Sequence, residues 1–168
     1  RDLHARSWAR TGVPVVRDPD ALELLEATYR KAERWQDLLA VYRRRLDITS
    51  DPDAHDEILV GIALVYEEML ADNDAAVRTY REMLERDPAN RRALESLDRL
   101  FTRLERWDDL SENLQLRLSL VESPEQQTEL QLRLALLREE KMNDVPTAIE
   151  IYRQILSRDP SNVDAIGA

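Results

Sequence analysis

A chain of 168 residues with 34 acidic against 24 basic side chains, a net charge of −10 and no cysteine excludes several classes of function at once. Its acidity opposes binding of a polyanion, so no nucleic-acid partner is expected, and the missing thiols remove disulfide frameworks, cysteine-ligated zinc and thiol catalysis. The balance of 43% hydrophobic and 35% charged residues, with 5% aromatics and three glycines, is that of long helices with enough apolar surface to fold.

The chain begins at Arg1 with no apolar signal-peptide core. Its longest apolar stretch, Ile58 to Tyr66, falls well short of the roughly 18 residues of a membrane span, so no membrane insertion is expected. The compartment is left open, with the cytoplasm favoured. Only Lys31 and Lys141 among the basic residues are lysines, a skew that points to a GC-rich, bacterial genome. Residues 1–20 read as an N-terminal lead or decayed repeat, in which Trp8 aligns with Tyr80 and Gly12-Val13-Pro14 breaks any helix.

From there the sequence repeats. Residues 21–92 lie on 93–164 without a gap, with 26 identities in 72 positions, including Trp35 with Trp107, Tyr80 with Tyr152, and Arg86-Asp87-Pro88 with Arg158-Asp159-Pro160. In the first copy, apolar residues fall at helical spacing in four blocks: Leu22/Leu25/Tyr29, Trp35/Leu38/Tyr42/Leu46, Ile58/Ile62/Tyr66/Met69 and Ala76/Tyr80/Met83/Leu84. Asp51-Pro52 and Ser123-Pro124 put a side-chain cap before a proline at the first helical position, and Ser123 with Gln126 fits a capping box. Each period of the repeat therefore predicts two helix pairs. A single pair cannot bury its apolar stripe alone, so the pairs must stack. At Asn162 to Ile166 the pattern restarts, which predicts that residues 165–168 open a further repeat of a longer parent chain.

These features resemble the tetratricopeptide repeat, whose pattern spaces small, apolar and aromatic residues over about 34 positions. The clearest matches are in the second and fourth pairs: Ala63 and Ala135, Ala76 and Ala148, Tyr80 and Tyr152, then Pro88 and Pro160. The first and third pairs depart from the pattern, with Glu26 and Asp98 where glycine is usual and Leu38 and Leu110 where alanine is usual. The resemblance implies an all-α, right-handed solenoid of stacked antiparallel helix pairs that binds a partner in the concave groove lined by the first helix of each pair. Some members clamp a C-terminal carboxylate with a set of Lys and Asn side chains. This chain has Glu23, Ala27, Leu64 and Glu95 at those places and only Arg99 compatible, so an acidic chaperone tail is not the expected ligand.

Carried onto this sequence, the groove-lining positions are Glu23, Arg30, Lys31, Glu95, Arg99 and Arg103 in the first and third pairs. In the second and fourth they are Val60, Leu64, Glu67, Leu132, Leu136 and Glu139. The segment Ile58 to Tyr66 is apolar nearly all round and should be buried on every side. Either Val60, Leu64, Leu132 and Leu136 form an apolar strip for an amphipathic partner helix, or the stack buries them itself. Arg30, Lys31, Arg99 and Arg103 could take acidic groups of a ligand, or pair along their own helices with Glu23, Glu26 and Glu95.

Catalysis has little to stand on. His4 and His55 are the only histidines and neither has metal-ligand spacing. The pairs Glu67-Glu68 and Glu139-Glu140 diverge by about 100° on a helix, and Asp72-Asn73-Asp74 lacks the glycine and bidentate acid of a calcium loop and reads as a helix cap. The sequence thus predicts a non-enzymatic scaffold without cofactor or metal that binds a protein or peptide segment. The alternatives are a structural spacer, self-association through the repeat ends, or a regulatory domain of a larger protein.

Overall fold

The structure, a computed structural model, describes residues 17–167; most of the predicted lead, with His4 and Trp8, lies outside the described residues. Among them the chain is all-helical. In order the helices are α1 (Pro19–Lys31), α2 (Trp35–Ile48), α3 (Pro52–Leu64), α4 (Asn73–Arg86), α5 (Arg91–Arg103), α6 (Trp107–Leu120), α7 (Pro124–Leu136), α8 (Val145–Arg158) and the short α9 (Val163–Gly167). Both α3 and α7 run on into a widened turn, Val65–Met69 and Leu137–Lys141. The chain divides into two compact units, Arg1–Arg86 and Asp87–Ala168. The first holds the pairs α1/α2 and α3/α4, the second α5/α6 and α7/α8 with α9.

Helix starts follow from local chemistry. Asp18, Asp51, Asn90, Ser123 and Asp144 each accept a hydrogen bond from a backbone N–H of the following first turn, and Pro19, Pro52, Pro124 and Pro146 stand at the first positions, where a missing N–H costs little. Asp72, read from the sequence as a cap, accepts from Ala75 N–H at 3.0 Å. At Ser123 the first half of the capping box forms, its Oγ accepting from Gln126 N–H at 3.4 Å, and its hydroxyl donates to Glu125 at 2.6 Å.

The turns inside the four pairs share one device. Glu33, Ala71, Glu105 and Asn143 all have positive φ, between 53° and 55°, the left-handed conformation that reverses the chain after a helix. In α3/α4 and α7/α8 the first helix closes with wide hydrogen bonds, Leu70 N–H to Val65 C=O at 3.0 Å and Met142 N–H to Leu137 C=O at 3.2 Å. At the other two, Arg34 and Arg106 sit over the rings of Tyr29 and Phe101, 4.8 and 5.3 Å from the centroids. Each of these arginines also donates to an aspartate in the next turn, Asp37 or Asp109, at 2.8 Å.

Each unit packs its own apolar stripe. Small residues are buried on both helices of α3/α4 and of α7/α8: Ala63 and Ala76 are 0% exposed in the first unit, Ala135 and Ala148 0% and 1% in the second. Around them lie Leu22, Leu38, Leu59, Tyr80 and Met83 in the first unit and Leu97, Leu100, Phe101, Leu114 and Ile155 in the second, all nearly inaccessible. Removing one such side chain costs about 2–5 kcal/mol.

Candidate functional site

Two of the expected contact residues belong to the interior. Val60 is 5% exposed and Glu67 6%, so the apolar run from Ile58 is consumed largely by packing, and neither side chain presents itself to a partner. Lys31, Arg99 and Arg103 are exposed. The remaining candidates separate between the units, and each unit is built around an acid at the position where the sequence pattern would favour glycine.

In the first unit that acid is Glu26 on α1, its side chain 16% exposed. It accepts from Arg30 on the same helix at 2.8 Å, from Arg45 on α2, and from the Tyr42 hydroxyl at 3.1 Å. Tyr42 Oη in turn accepts from Arg30 Nη2 at 2.6 Å. Burial, and then the Glu26 charge, holds the Tyr42 phenol above its ordinary range, so it stays a neutral donor. The Tyr42 ring can lie here because residue 61 is glycine: a Cβ at Gly61 would come within 3.1 Å of Tyr42 Cζ and 3.2 Å of Oη. Beside this group opens a mostly apolar cavity of about 200 Å³, bounded by Trp35, Leu38, Tyr42, Gly61, Leu64 and Met69, with Arg30 also on its lining. Arg30 and Leu64, nominated separately from the sequence, thus meet in one place.

The second unit solves the same problem differently. Asp98 on α5, 5% exposed, accepts from Arg117 on α6 and from both terminal nitrogens of Arg133 on α7, at 2.6 and 2.7 Å. Residues 42 and 61 of the first copy correspond to Leu114 and Arg133 of the second, so a tyrosine facing a glycine is exchanged for a leucine and a long cation. The arginine that the following helix supplies to the acid, Arg45 or Arg117, is common to both. An open concavity of about 630 Å³ lies along α7, lined by Leu132, Leu136 and Glu139 together with Arg133 and Tyr152. Leu136 is 44% exposed. Tyr152 donates to Glu139 at 3.0 Å, and burial together with that bond pushes its phenol up to about 12.

Sequence reasoning missed Tyr42, Gly61, Trp35 and Met69 as cavity residues, and Arg117 and Arg133 as partners of Asp98. The signal was available in the alignment of the two copies: the pair Glu26 and Arg45 recurs as Asp98 and Arg117, while Tyr42 and Gly61 change together. His55 lies against Arg86, which also donates to Asp56 at 3.1 Å. Among the described residues no group of three or more His, Asp or Glu side chains is placed to hold a metal ion, and no helix is long and apolar enough to cross a membrane.

Sequence profiles described as Tetratricopeptide repeat match residues 21–54, and again 57–90 and 129–162, together more than half of the chain. No curated protein matches its sequence. Solved structures of similar fold include the following two. One, titled "Crystal structure of MamA protein", superposes with a TM-score of 0.50 at 17% identity, over 87% of this chain and 75% of that one. The other, "Crystal structure of MamA", gives 0.48 at 18% identity over 84% and 78%.

Proposed function

The chain belongs to the tetratricopeptide repeat family, and from that membership we propose that it is a non-enzymatic scaffold that holds a segment of another protein against the first helices of its pairs. The observation that carries this reading is the concavity along α7, where three of the residues named from the sequence, Leu132, Leu136 and Glu139, converge on one open surface. A partly exposed leucine flanked by Glu139, Glu140 and Arg133 suits one face of an amphipathic helix, whose apolar side covers Leu132 and Leu136 while its polar side meets the charges. The scaffold role needs neither cofactor nor metal.

The test is affinity capture from a lysate with the wild-type chain and with Leu132→Glu/Leu136→Glu, both shown to be folded by circular dichroism. A protein retained by the first and lost from the second supports the reading. Identical captured sets, or none from either, refute it.

A further inference from the structure

We infer that the cavity of the first unit is a socket for one large apolar side chain of the partner segment, with Arg30 taking a carboxylate that the segment carries beside it. The inference deepens the scaffold reading, on which it rests, by stating what chemistry the first unit recognises.

Size argues first. At about 200 Å³ the cavity lies below the roughly 300–1,000 Å³ of a small-molecule or cofactor cleft, and is on the scale of a single leucine or phenylalanine side chain. Its accessible apolar walls are Trp35, Leu64 and Met69, over a floor of the buried Leu38 and Val65, and they can offer such a side chain dispersion contacts and exclusion of water. Met69, 48% exposed, is unbranched and able to close over differently shaped guests.

Arg30 supplies the polar half. Its Nη2 is held by Glu26 at 2.8 Å and Tyr42 at 2.6 Å, which fixes the guanidinium at the cavity and cuts the entropy lost on binding. An arginine carries five N–H donors. Those on Nε and Nη1 lie on different edges of the guanidinium, and either remains for a single charge-assisted bond to a ligand carboxylate oxygen. Glu68, the other charged side chain on the lining, tempers the attraction, so selectivity for an acid is modest. The second copy carries Arg133 where this unit has Gly61 and Thr102 where it has Arg30, so the socket is a property of the first unit.

The smallest molecule with both features is N-acetyl-phenylalanine, and the test titrates it into the folded, ¹⁵N-labelled chain by NMR beside N-acetyl-phenylalaninamide and N-acetyl-alanine. Saturable shifts are expected at the Gly61, Leu64 and Val65 amides and the Trp35 indole N–H. The acid should bind about threefold tighter than the amide, the weight of an exposed ion pair, and Arg30→Gln should erase that preference. N-acetyl-alanine should leave the spectrum unmoved. Leu64→Gln should abolish the shifts, and Met69→Gln, at an exposed position, should weaken them without disturbing the fold. The socket is overturned if these resonances do not move in a well-dispersed spectrum, if N-acetyl-alanine moves them equally, or if the acid and amide bind alike. Shifts confined to Leu132 and Leu136 would overturn it too, while leaving the scaffold reading in place.

Discussion

Replacing Gly61 by alanine sets two effects of opposite sign against each other, and the contacts around Tyr42 decide which wins. In a helix interior alanine is favoured over glycine by about 1 kcal/mol, so on backbone grounds alone the change stabilises α3. The new methyl, however, would sit 3.1 Å from Tyr42 Cζ and 3.2 Å from Oη. The ring cannot retreat without losing the bonds from Tyr42 Oη to Arg30 and Glu26, and crowding of this kind costs about 1–3 kcal/mol. The expected result is a net loss of about 1 kcal/mol, equivalent to roughly 2–4 °C in Tm for a chain of this size. In a Tyr42→Leu background, which recreates the leucine of the second copy, the obstruction is gone and the same Gly61→Ala change should stabilise by about 1 kcal/mol. Urea unfolding of all four chains gives the coupling directly, expected to be about 2 kcal/mol. If Gly61→Ala is stabilising in the wild type, or acts identically in both backgrounds, the account of why residue 61 is glycine is wrong.

Ala71 is exposed and held at φ 53°, so Ala71→Gly should raise stability by about 0.5–1 kcal/mol in urea unfolding, the left-handed penalty less the extra freedom of the unfolded glycine; Asn143→Gly, where asparagine tolerates that conformation, should change little, and equal gains at both sites would count against the argument. Ser111 is 1% exposed with no hydrogen-bond partner for its Oγ, and the equivalent residue of the first copy is Leu39; Ser111→Ala should therefore stabilise by about 1 kcal/mol, and a loss of stability would mean the hydroxyl is satisfied. Tyr152 keeps its proton up to about 12 in the folded chain against 10 for a free phenol, so its contribution is complete below pH 10 and is lost as pH rises from 10 toward 12; in alkaline titrations Tyr152→Phe should lose stability less steeply over that window than the wild type does.

The helices were legible because their determinants are local. Asp51-Pro52 and Ser123-Pro124 announce starts by cap chemistry, and apolar spacing counts turns regardless of what the helix packs against. The small residues Ala63, Ala76, Ala135 and Ala148 were readable through the resemblance to the tetratricopeptide pattern, and all four are buried. The site was harder. Val60 and Leu64 are alike in hydropathy and one helical turn apart, yet one is buried and the other partly exposed; the difference depends on which neighbour covers each face. The cavity beside Arg30 needs the coincidence of Gly61 on α3 with Tyr42 on α2, and no pattern confined to one helix contains that coincidence. Glu26 and Asp98 stood out as misfits to a family pattern, but their arginine partners emerge only when the two copies are read against each other.

The exchange of Tyr42 and Gly61 for Leu114 and Arg133 bears on how such a chain can be inherited. A crossover that spliced α7 of the second copy in place of α3 would drive an arginine into the tyrosine ring. The reciprocal splice would set glycine opposite leucine, leaving Asp98 without its two-pronged partner and a void where the guanidinium had been. The first hybrid overfills its interior and the second strips its acid of one arginine and hollows its interior, whereas moving a whole copy, 21–92 or 93–164, keeps each arrangement intact. The smallest part that can be duplicated or traded intact is therefore the double pair, and any lengthening of this chain by recombination should proceed in steps of that size.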